Sequence, residues 1–107
     1  MMTVAETFDH MQEYFNPAAA SGLNKIIQLN ITGDQAGVWA IKIVNQTCEL
    51  IKGGVEKPDL TLTMSDQDWL AIVNQKLNAM NAFMGGKIKS SGDTMLAMKI
   101  PNLFKFK

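Results

Sequence analysis

The chain has 107 residues, enough for one domain built around one hydrophobic core. Hydrophobic residues make up 47% of the chain and charged residues 19%, a balance typical of a folded domain and not of a disordered one. Ten lysines offset ten acidic residues, and there is no arginine, so the chain lacks both the positive charge and the side chain typical of nucleic-acid binding.

Disulfides, metal sites and targeting signals are also missing from the sequence. Cys48 is the one cysteine, so no internal disulfide can form, and no cluster of cysteine and histidine offers a zinc site. The first residues contain no signal peptide, and no run of about 18 apolar residues could cross a bilayer. We therefore expect one domain over residues 1–107, located in the cytoplasm, with no metal and no cofactor.

The spacing of apolar residues predicts that the chain begins with helices. Thr3 and Glu6 have the spacing of a capping box, in which each side chain accepts a hydrogen bond from the backbone of the other residue. Apolar residues at positions 4, 8, 11 and 15 recur at the interval of one amphipathic helix. Asn16 and Pro17 are expected to end this helix and to begin a short second one.

Beyond Lys25 the apolar period changes to two, which indicates β-strands. The first three strands are separated by short turns, so we predict that they form an antiparallel meander. The predicted strands cover residues 25–32, 39–43, 47–52, 59–64 and 87–90.

Three further helices are predicted in the second half of the chain. Ser65 is expected to cap the first, with Asp66 and Asp68 at the positive end of its dipole. Asn78 begins the next helix, and the last is a short apolar turn that Pro101 breaks. The pattern as a whole predicts an α+β domain, with helices covering one face of a mostly antiparallel sheet.

The motifs of common enzyme classes are missing, including the serine nucleophile elbow, the zinc-protease helix and the dinucleotide-binding loop. Gly85–Ile88 resembles part of a phosphate-binding loop, but isoleucine stands where Ser or Thr would hold magnesium. His10 is expected to face solvent, and Cys48 to be a packed thiol. Asp66 and Asp68 are expected to stabilise their helix and not to form an acid–base pair. We therefore predict no catalytic residue and no enzyme activity.

Methionine is concentrated late in the chain, where five of the eight occur at or after position 64. Methionine is unbranched and polarizable, so it packs around ligands of varied shape, but it is also an ordinary core filler, and composition favours neither interpretation. The segment 94–100 supports the ligand-binding interpretation, because it is apolar on nearly every side. Such a helix is expected to be buried on both faces, in protein or against an apolar ligand.

Charge is unevenly distributed along the chain. Residues 87–107 contain five lysines and one aspartate, whereas residues 1–86 contain five lysines and nine acidic residues. A solvated tail is the simpler explanation. The functional alternative is transient contact with an anionic membrane surface, where each lysine near the lipid contributes about 1 kcal/mol.

Several segments, in order along the chain, resemble one family. Residues 82–89, which read Ala-Phe-Met-Gly-Gly-Lys-Ile-Lys, resemble the C-terminal signature of the sterol carrier protein 2 domain, together with Gly92-Asp93 and residues 96–99. Gly37-Val38-Trp39 and the run 57–66 are similar to the middle of that domain. The similarity covers nearly the whole chain, and the motifs are specific in combination although each is weak alone.

The resemblance implies a five-stranded sheet with helices packed on one face and a hydrophobic tunnel between the sheet and the C-terminal helices. Family members bind sterols, fatty acids, fatty acyl-CoAs and phospholipids without a catalytic residue, so a lipid ligand is expected here. Matched to this sequence, the residues expected to line the tunnel are Leu62, Met64, Leu77, Met80, Phe83, Met84, Ile88, Met95 and Met98.

The chain departs from the family pattern at two places. Ser90 stands where an apolar residue is usual, so either the tunnel holds a polar spot there or the last strand ends early. The tail lacks the tripeptide that addresses proteins to peroxisomes. For a lipid carrier, Met95, Leu96 and Met98 are expected to form a movable lid. A ligand-free scaffold or dimerisation module and an accessory domain of an enzyme complex remain as alternatives, and the sequence favours no oligomeric state.

Overall fold

The computed structural model describes residues 2–106, which form five α-helices, one 3-10 turn and five β-strands. The helices are α1 (Val4–Asp9), α2 (Met11–Tyr14), α3 (Asp66–Val73), α4 (Ala79–Met84) and α5 (Thr94–Leu103), and the 3-10 turn is Pro17–Ala20. The strands are β1 (Lys25–Thr32), β2 (Gly37–Val44), β3 (Thr47–Lys52), β4 (Leu60–Ser65) and β5 (Lys89–Gly92).

The strands form one sheet in the order β3-β2-β1-β4-β5. The first three are the predicted antiparallel meander, and β5 is antiparallel to β4. β4 lies parallel to β1, with Ile27 opposite Leu60 and Thr32 opposite Ser65. Because three of the four pairings are antiparallel, the prediction of an α+β domain with a five-stranded, mostly antiparallel sheet is confirmed.

The parallel pairing requires the chain to cross the sheet between β3 and β4. Residues 53–59 make this crossing on the face opposite the helices. Val55 N donates to Gln28 Oε1 (2.8 Å), and Asp59 N donates to Ile26 O (2.9 Å). Gln28 and Ile26 alternate with the buried residues of β1, so their side chains point away from the core. The crossing therefore leaves the core face of the sheet to the helices.

The core face is built by the three central strands. Their buried residues alternate with more exposed ones, and the strand register places the buried ones side by side. The helices pack on this face, as predicted. The buried residues of these strands that face the helices are Ile27, Leu29, Ile31, Ile41, Ile43, Leu60, Leu62 and Met64.

The N-terminal helix is shorter than its apolar spacing predicts. The predicted capping box is present: Thr3 N donates to Glu6 Oε1 (2.8 Å), and Glu6 N donates to Thr3 Oγ1 (3.2 Å). The expectation of one helix as far as position 15 is wrong, because His10 (φ −99°, ψ 6°) interrupts it and separates α1 from α2. Phe15 lies beyond α2 in an antiparallel bridge with Phe104, so a long-range pairing overrides the helical period.

The expected break at Pro101 is also wrong, because α5 continues through this residue to Leu103. Proline removes the one hydrogen bond that its own N–H would donate, and the next turn closes normally, with Phe104 N donating to Ile100 O (3.1 Å). Leu103 and Phe104 are 0% and 4% exposed, so burial of this last turn stabilises the helix beyond the proline.

The apolar composition of α5 does not bury it on both faces. Leu96 and Leu103 are buried, whereas Met95 and Met98 are 73% and 56% exposed. The sheet lies on one side of α5, and no layer of the described residues covers the other side. The expectation of burial on both faces is therefore wrong for the chain by itself.

Ser65 and Asp66 have separate roles at the start of α3. Ser65 caps the helix as predicted, since its Oγ accepts from Asp68 N (3.1 Å). Asp66 is buried, and its carboxylate accepts from Gln35 N (3.0 Å), so it also ties the β1–β2 turn to α3. A Cβ at Gly33 (φ +105°) would lie 2.6 Å from Asp66 Oδ1, so the turn requires glycine there.

A buried hydrogen bond joins α1 to α3. Thr7 Oγ1 accepts from Trp69 Nε1 (2.7 Å) and donates to Val4 O (2.6 Å), and Thr7 is fully buried. The ring of Phe8 stacks between the indole rings of Trp39 and Trp69. Its centroid lies 4.5 Å from that of Trp39 and 4.8 Å from that of Trp69. These contacts fix the position of Trp69 on the core face.

We expect the Thr7→Val substitution to destabilise the fold by about 1–3 kcal/mol, because it leaves the buried indole N–H of Trp69 without an acceptor. Trp69→Phe removes the donor, so the double variant should be less destabilised than the sum of the two single variants. Urea unfolding followed by circular dichroism measures these differences. Strictly additive effects would contradict the role given to this hydrogen bond.

Candidate functional site

A cavity of about 410 Å³ lies between the core face of the sheet and the helices. The sheet forms its floor, and α3, the start of α4 and the loop between them form one wall. The end of α5 and the residues after it form the other. The cavity is lined by Met11, Ile27, Leu29, Ile41, Leu62, Met64, Trp69, Ile72, Gln75, Lys76, Leu77, Asn78, Ala79, Ile88, Ile100, Pro101, Phe104, Lys105 and Phe106.

The floor follows directly from the strand register. Ile27 of the central strand lies opposite Ile41 on one side, and Leu29 lies opposite Leu62 on the other. Met64 is one alternate position further along β4. Since partners in register point to the same face, these apolar side chains form one continuous surface beneath the cavity.

The C-terminal segment, residues 103–106, closes one side of the cavity. It is held by the segment that follows α1: Asn16 N donates to Leu103 O (2.8 Å), and Lys105 N donates to Tyr14 O (2.8 Å). The ring of Phe106 makes edge-to-face contacts with Tyr14 (5.0 Å) and Trp69 (5.9 Å between centroids). Backbone pairing and aromatic packing therefore place Phe104, Lys105 and Phe106 against the cavity.

A second, smaller cavity of about 50 Å³ adjoins the first between α4 and α5. Because the two cavities share walls, they are adjoining chambers of one apolar region. The shared lining residues are Leu62, Ala79, Ile88, Ile100 and Pro101. The smaller cavity is also lined by Met80, Phe83, Ala97 and Met98.

The structure places seven of the nine residues of the predicted tunnel lining along these two cavities. The larger cavity is lined by Leu62, Met64, Leu77 and Ile88, and the smaller one by Leu62, Met80, Phe83, Ile88 and Met98. Met84 and Met95 line neither cavity and are 79% and 73% exposed, so the structure differs from the predicted lining at these two positions.

Ser90 also lies outside both cavities, and its side chain is exposed. β5 begins at Lys89, two residues later than predicted, and Ser90 pairs with Leu62. Ile88 precedes the strand and is buried, with its backbone N–H donating to Ala82 O (3.4 Å). The turn before β5, and not the strand itself, therefore presents Ile88 to the cavities.

The predicted lining did not include the aromatic residues of the larger cavity or the C-terminal residues that line it. Trp69 and Ile72 are three positions apart on α3, and the apolar period of that helix, which follows directly after Met64, could have placed them here. Phe104 and Phe106 reach the cavity through pairing with residues about ninety positions earlier in the chain, for which the sequence carries no local signal.

Polar residues gather at one edge of the larger cavity. Gln75, Lys76 and Asn78 come from the loop after α3, and Lys105 comes from the C-terminal segment. The side-chain amide of Gln75 donates to Phe106 O, which joins the two segments at this edge. The lining contains no aspartate and no glutamate, so the charge at this edge is positive.

The cavity lining has the chemistry of an apolar binding site. None of its members is a serine, cysteine, histidine, aspartate or glutamate, so it offers no nucleophile with a partner base. Cys48 lies outside the larger cavity, and burial raises the pKa of its thiol above the usual range. Within residues 2–106, no group of three potential ligands is placed to hold a metal ion, and no helix is long and apolar enough to cross a membrane.

Asp93 holds the N-terminus of α5, the helix that forms the outer wall of both cavities. Its Oδ1 accepts from Leu96 N (3.1 Å), and Lys25 Nζ lies 3.3 Å from Oδ2. The hydrogen bond from the Leu96 backbone, followed by that from Lys25, lowers the pKa of Asp93 below its usual value of 3.8. The carboxylate therefore stays ionised at neutral pH and caps the helix.

The fold and the cavities define a class of protein: a small α+β domain with an apolar hollow between its helices and one face of a five-stranded sheet. Residues 8–105 match the SCP-2 sterol transfer family, and the chain belongs to that family. Membership implies lipid binding and transfer, the general property of the family.

Related proteins place this domain in different settings. The chain is 39% identical over 85 residues to peroxisomal multifunctional enzyme A of Dictyostelium discoideum, covering 78% of this chain and 19% of that protein. It is 37% identical over 71 residues to sterol carrier protein 2 of Homo sapiens, covering 66% and 13%. The chain thus spans less than one fifth of either relative. The NMR structure of palmitated SCP2L2 from Aedes aegypti is 29% identical, with a TM-score of 0.75 and coverage of 94% and 93%.

We expect Trp69 to report occupancy of the larger cavity. It lines that cavity and is 4% exposed, whereas Trp39, the other tryptophan, is half-buried and outside the lining. In a Trp39→Phe variant, added decane should change the fluorescence of Trp69, because the hydrocarbon replaces empty space or water beside the indole. In the matched Trp69→Phe variant, decane should leave the emission of Trp39 unchanged. Equal responses in the two variants would contradict this location.

Proposed function

We propose that the chain binds the hydrocarbon part of a lipid in its two adjoining cavities and transfers the lipid without catalysing a reaction. The observation that carries this proposal is the larger cavity, with its apolar floor and no serine, cysteine, histidine or acidic side chain in its lining. Its volume of about 410 Å³ falls within the range of about 300–1,000 Å³ typical of small-molecule sites.

Burial of hydrocarbon supplies sufficient binding free energy for this role. Each buried methylene contributes about 0.8 kcal/mol, so a chain of about a dozen carbons contributes about 10 kcal/mol before costs. Ordering the chain and losing its free translation offset part of this gain. We therefore expect dissociation constants that are micromolar or weaker, which suits a carrier that must release its ligand.

Fatty acyl chains are the ligands that we propose first. The similar structure from Aedes aegypti is described as palmitated, which supports an acyl chain in this fold. Methionine at the smaller cavity supports tolerance of chain length, because Met80 and Met98 have flexible, unbranched side chains that can repack. Of the predicted lining, we keep the seven residues that the cavities bring together.

We propose a lid with fewer residues than the sequence predicts. Leu96 is buried in the core and Met95 lines neither cavity, so of the three predicted lid residues only Met98 lies at a cavity wall. We propose that Met98, with Met80 opposite it on α4, moves to enlarge the smaller cavity when a long chain is bound. The cytoplasmic location expected from the sequence stays a prediction.

The exposed methionines of α4 and α5, here called the methionine rim, are Met84, Met95 and Met98. Met84 lies one turn beyond Met80, and Met95 lies one turn before Met98, so the rim continues outward from two residues that line the smaller cavity. Exposed lysines occur in the same part of the chain: Lys87, Lys89 and Lys99. Apolar side chains among positive charges are suited to an anionic membrane surface, and we propose that the rim makes this contact.

To test the ligand cavity, Ala79→Phe places a ring where both cavities meet. We expect it to weaken binding of a fluorescent long-chain fatty acid about tenfold or more, because the ring occupies volume that the ligand needs. Met84→Glu is the matched control on the same helix, since Met84 is exposed and lines neither cavity. Equal affinity in both variants, with both folded by circular dichroism, would contradict the proposal.

To test the membrane contact, Met84→Ser and Met95→Ser are combined. The affinity for phosphatidylserine-containing vesicles, measured by sedimentation, should fall about tenfold, because two apolar side chains are lost from the rim. Gln67→Ser, an exposed change on α3, is the control and should leave vesicle binding unchanged. Fatty acid affinity should stay at its original value in the double variant. Unchanged sedimentation would remove the rim from the proposed function.

A second candidate function is that of a lipid-holding accessory domain in an enzyme complex. The observation that favours it is the similarity to a peroxisomal multifunctional enzyme, of which the chain covers 19%. Gentle purification followed by native mass spectrometry distinguishes the candidates. A monomer with bound lipid supports independent carriage, a stable complex with an enzyme supports the accessory role, and an empty dimer supports the dimerisation module.

A further inference from the structure

Two lysines lie at the polar edge of the larger cavity, on opposite walls. Lys76 belongs to the loop after α3, and Lys105 belongs to the C-terminal segment. Both side chains are exposed overall yet form part of the lining, as expected for long stems that cover apolar surface while the ammonium stays in water. The edge therefore combines apolar walls with two positive charges.

The backbone fixes both lysines in place. Lys76 N donates to Ala71 O (2.8 Å) directly after Gln75, which adopts a left-handed conformation (φ 60°). Lys105 N donates to Tyr14 O (2.8 Å). The Gln75 side chain, which donates to Phe106 O, holds the two segments together. The two ammonium groups are thus attached to joined and ordered segments, so little backbone ordering is needed to use them together.

Among the described residues, no acidic side chain pairs with Lys76 or Lys105. Over residues 2–106, neither ammonium has a carboxylate oxygen within 4.0 Å, unlike Lys25 and Lys52, which pair with Asp93 and Asp9. The cavity lining likewise contains no acidic residue. Both positive charges attract an anion that reaches this edge of the cavity. Lysine is also a common binder of carboxylate and phosphate oxygens.

We infer that Lys76 and Lys105 bind the anionic headgroup of a lipid whose hydrocarbon chain lies in the cavity. This inference rests on the proposed function and deepens it, because it assigns the class of ligand: a single-chain amphiphile with a carboxylate or phosphate head, in preference to a neutral lipid. The Gln75 and Asn78 amides stand beside the lysines and supply neutral hydrogen-bond donors to the same head.

The test compares three probes that share one hydrocarbon chain: a fatty acid, its methyl ester and a lysophosphatidic acid. Binding is measured by calorimetry for the wild type and for the double variant Lys76→Gln, Lys105→Gln, which keeps polar side chains at both positions but removes both charges. The matched control is Lys42→Gln, Lys57→Gln, two exposed lysines outside the cavity lining.

We expect the double variant to lose about tenfold or more in affinity for the fatty acid, for the phosphate probe or for both. Its affinity for the methyl ester should equal that of the wild type. The larger loss identifies the headgroup, and the loss should shrink at high salt because charge attraction is screened. The control variant should match the wild type. Equal affinities of wild type and double variant for all three probes would overturn the headgroup assignment while leaving hydrocarbon binding intact. Failure of all three probes to bind the wild type would refute the proposed function and this inference together.

Discussion

The cavity depends on one interaction, the docking of the C-terminal segment against the residues that follow α1. Three lining residues, Phe104, Lys105 and Phe106, come after the last helix and reach the cavity because their backbone is paired there. If this segment were released, the larger cavity would become an open groove and Trp69 would lose its edge contact with Phe106. This wall of the site is therefore a product of pairing between segments near the two ends of the chain.

A hollow lowers the stability of a small domain, because side chains around it lack partner atoms on one side. The chain compensates beside the cavity, where Thr7, Phe8 and Trp69 join α1 to α3 through a buried hydrogen bond and stacked rings. The wall made by α4 and α5 has less support, since their exposed methionines contact no second layer within the described residues. More buried side chains thus hold the α1–α3 side of the cavity than the α4–α5 side.

The sequence predicts most of the floor and less of the walls. A period of two fixes which face of β1 and β4 is apolar, so Leu62 and Met64 could be assigned correctly to the core face. A helical period identifies a face but not how far along it a neighbour extends, which is why Met80 lines a cavity and Met84, one turn later, is exposed. The Phe-Lys-Phe ending shows no local sign of its partners, because these lie at the other end of the chain.

The division between floor and walls also bears on specificity. The floor consists mainly of isoleucine and leucine held by strand pairing, which fixes its shape. The walls contain methionine, phenylalanine and lysine, whose side chains can rotate to follow a ligand. We expect hydrocarbon chains of different length to require different positions of the wall side chains and the same positions of the floor side chains. Under the proposed function, we place tolerance of chain length in α4 and α5, and discrimination by headgroup in the two segments that Gln75 joins.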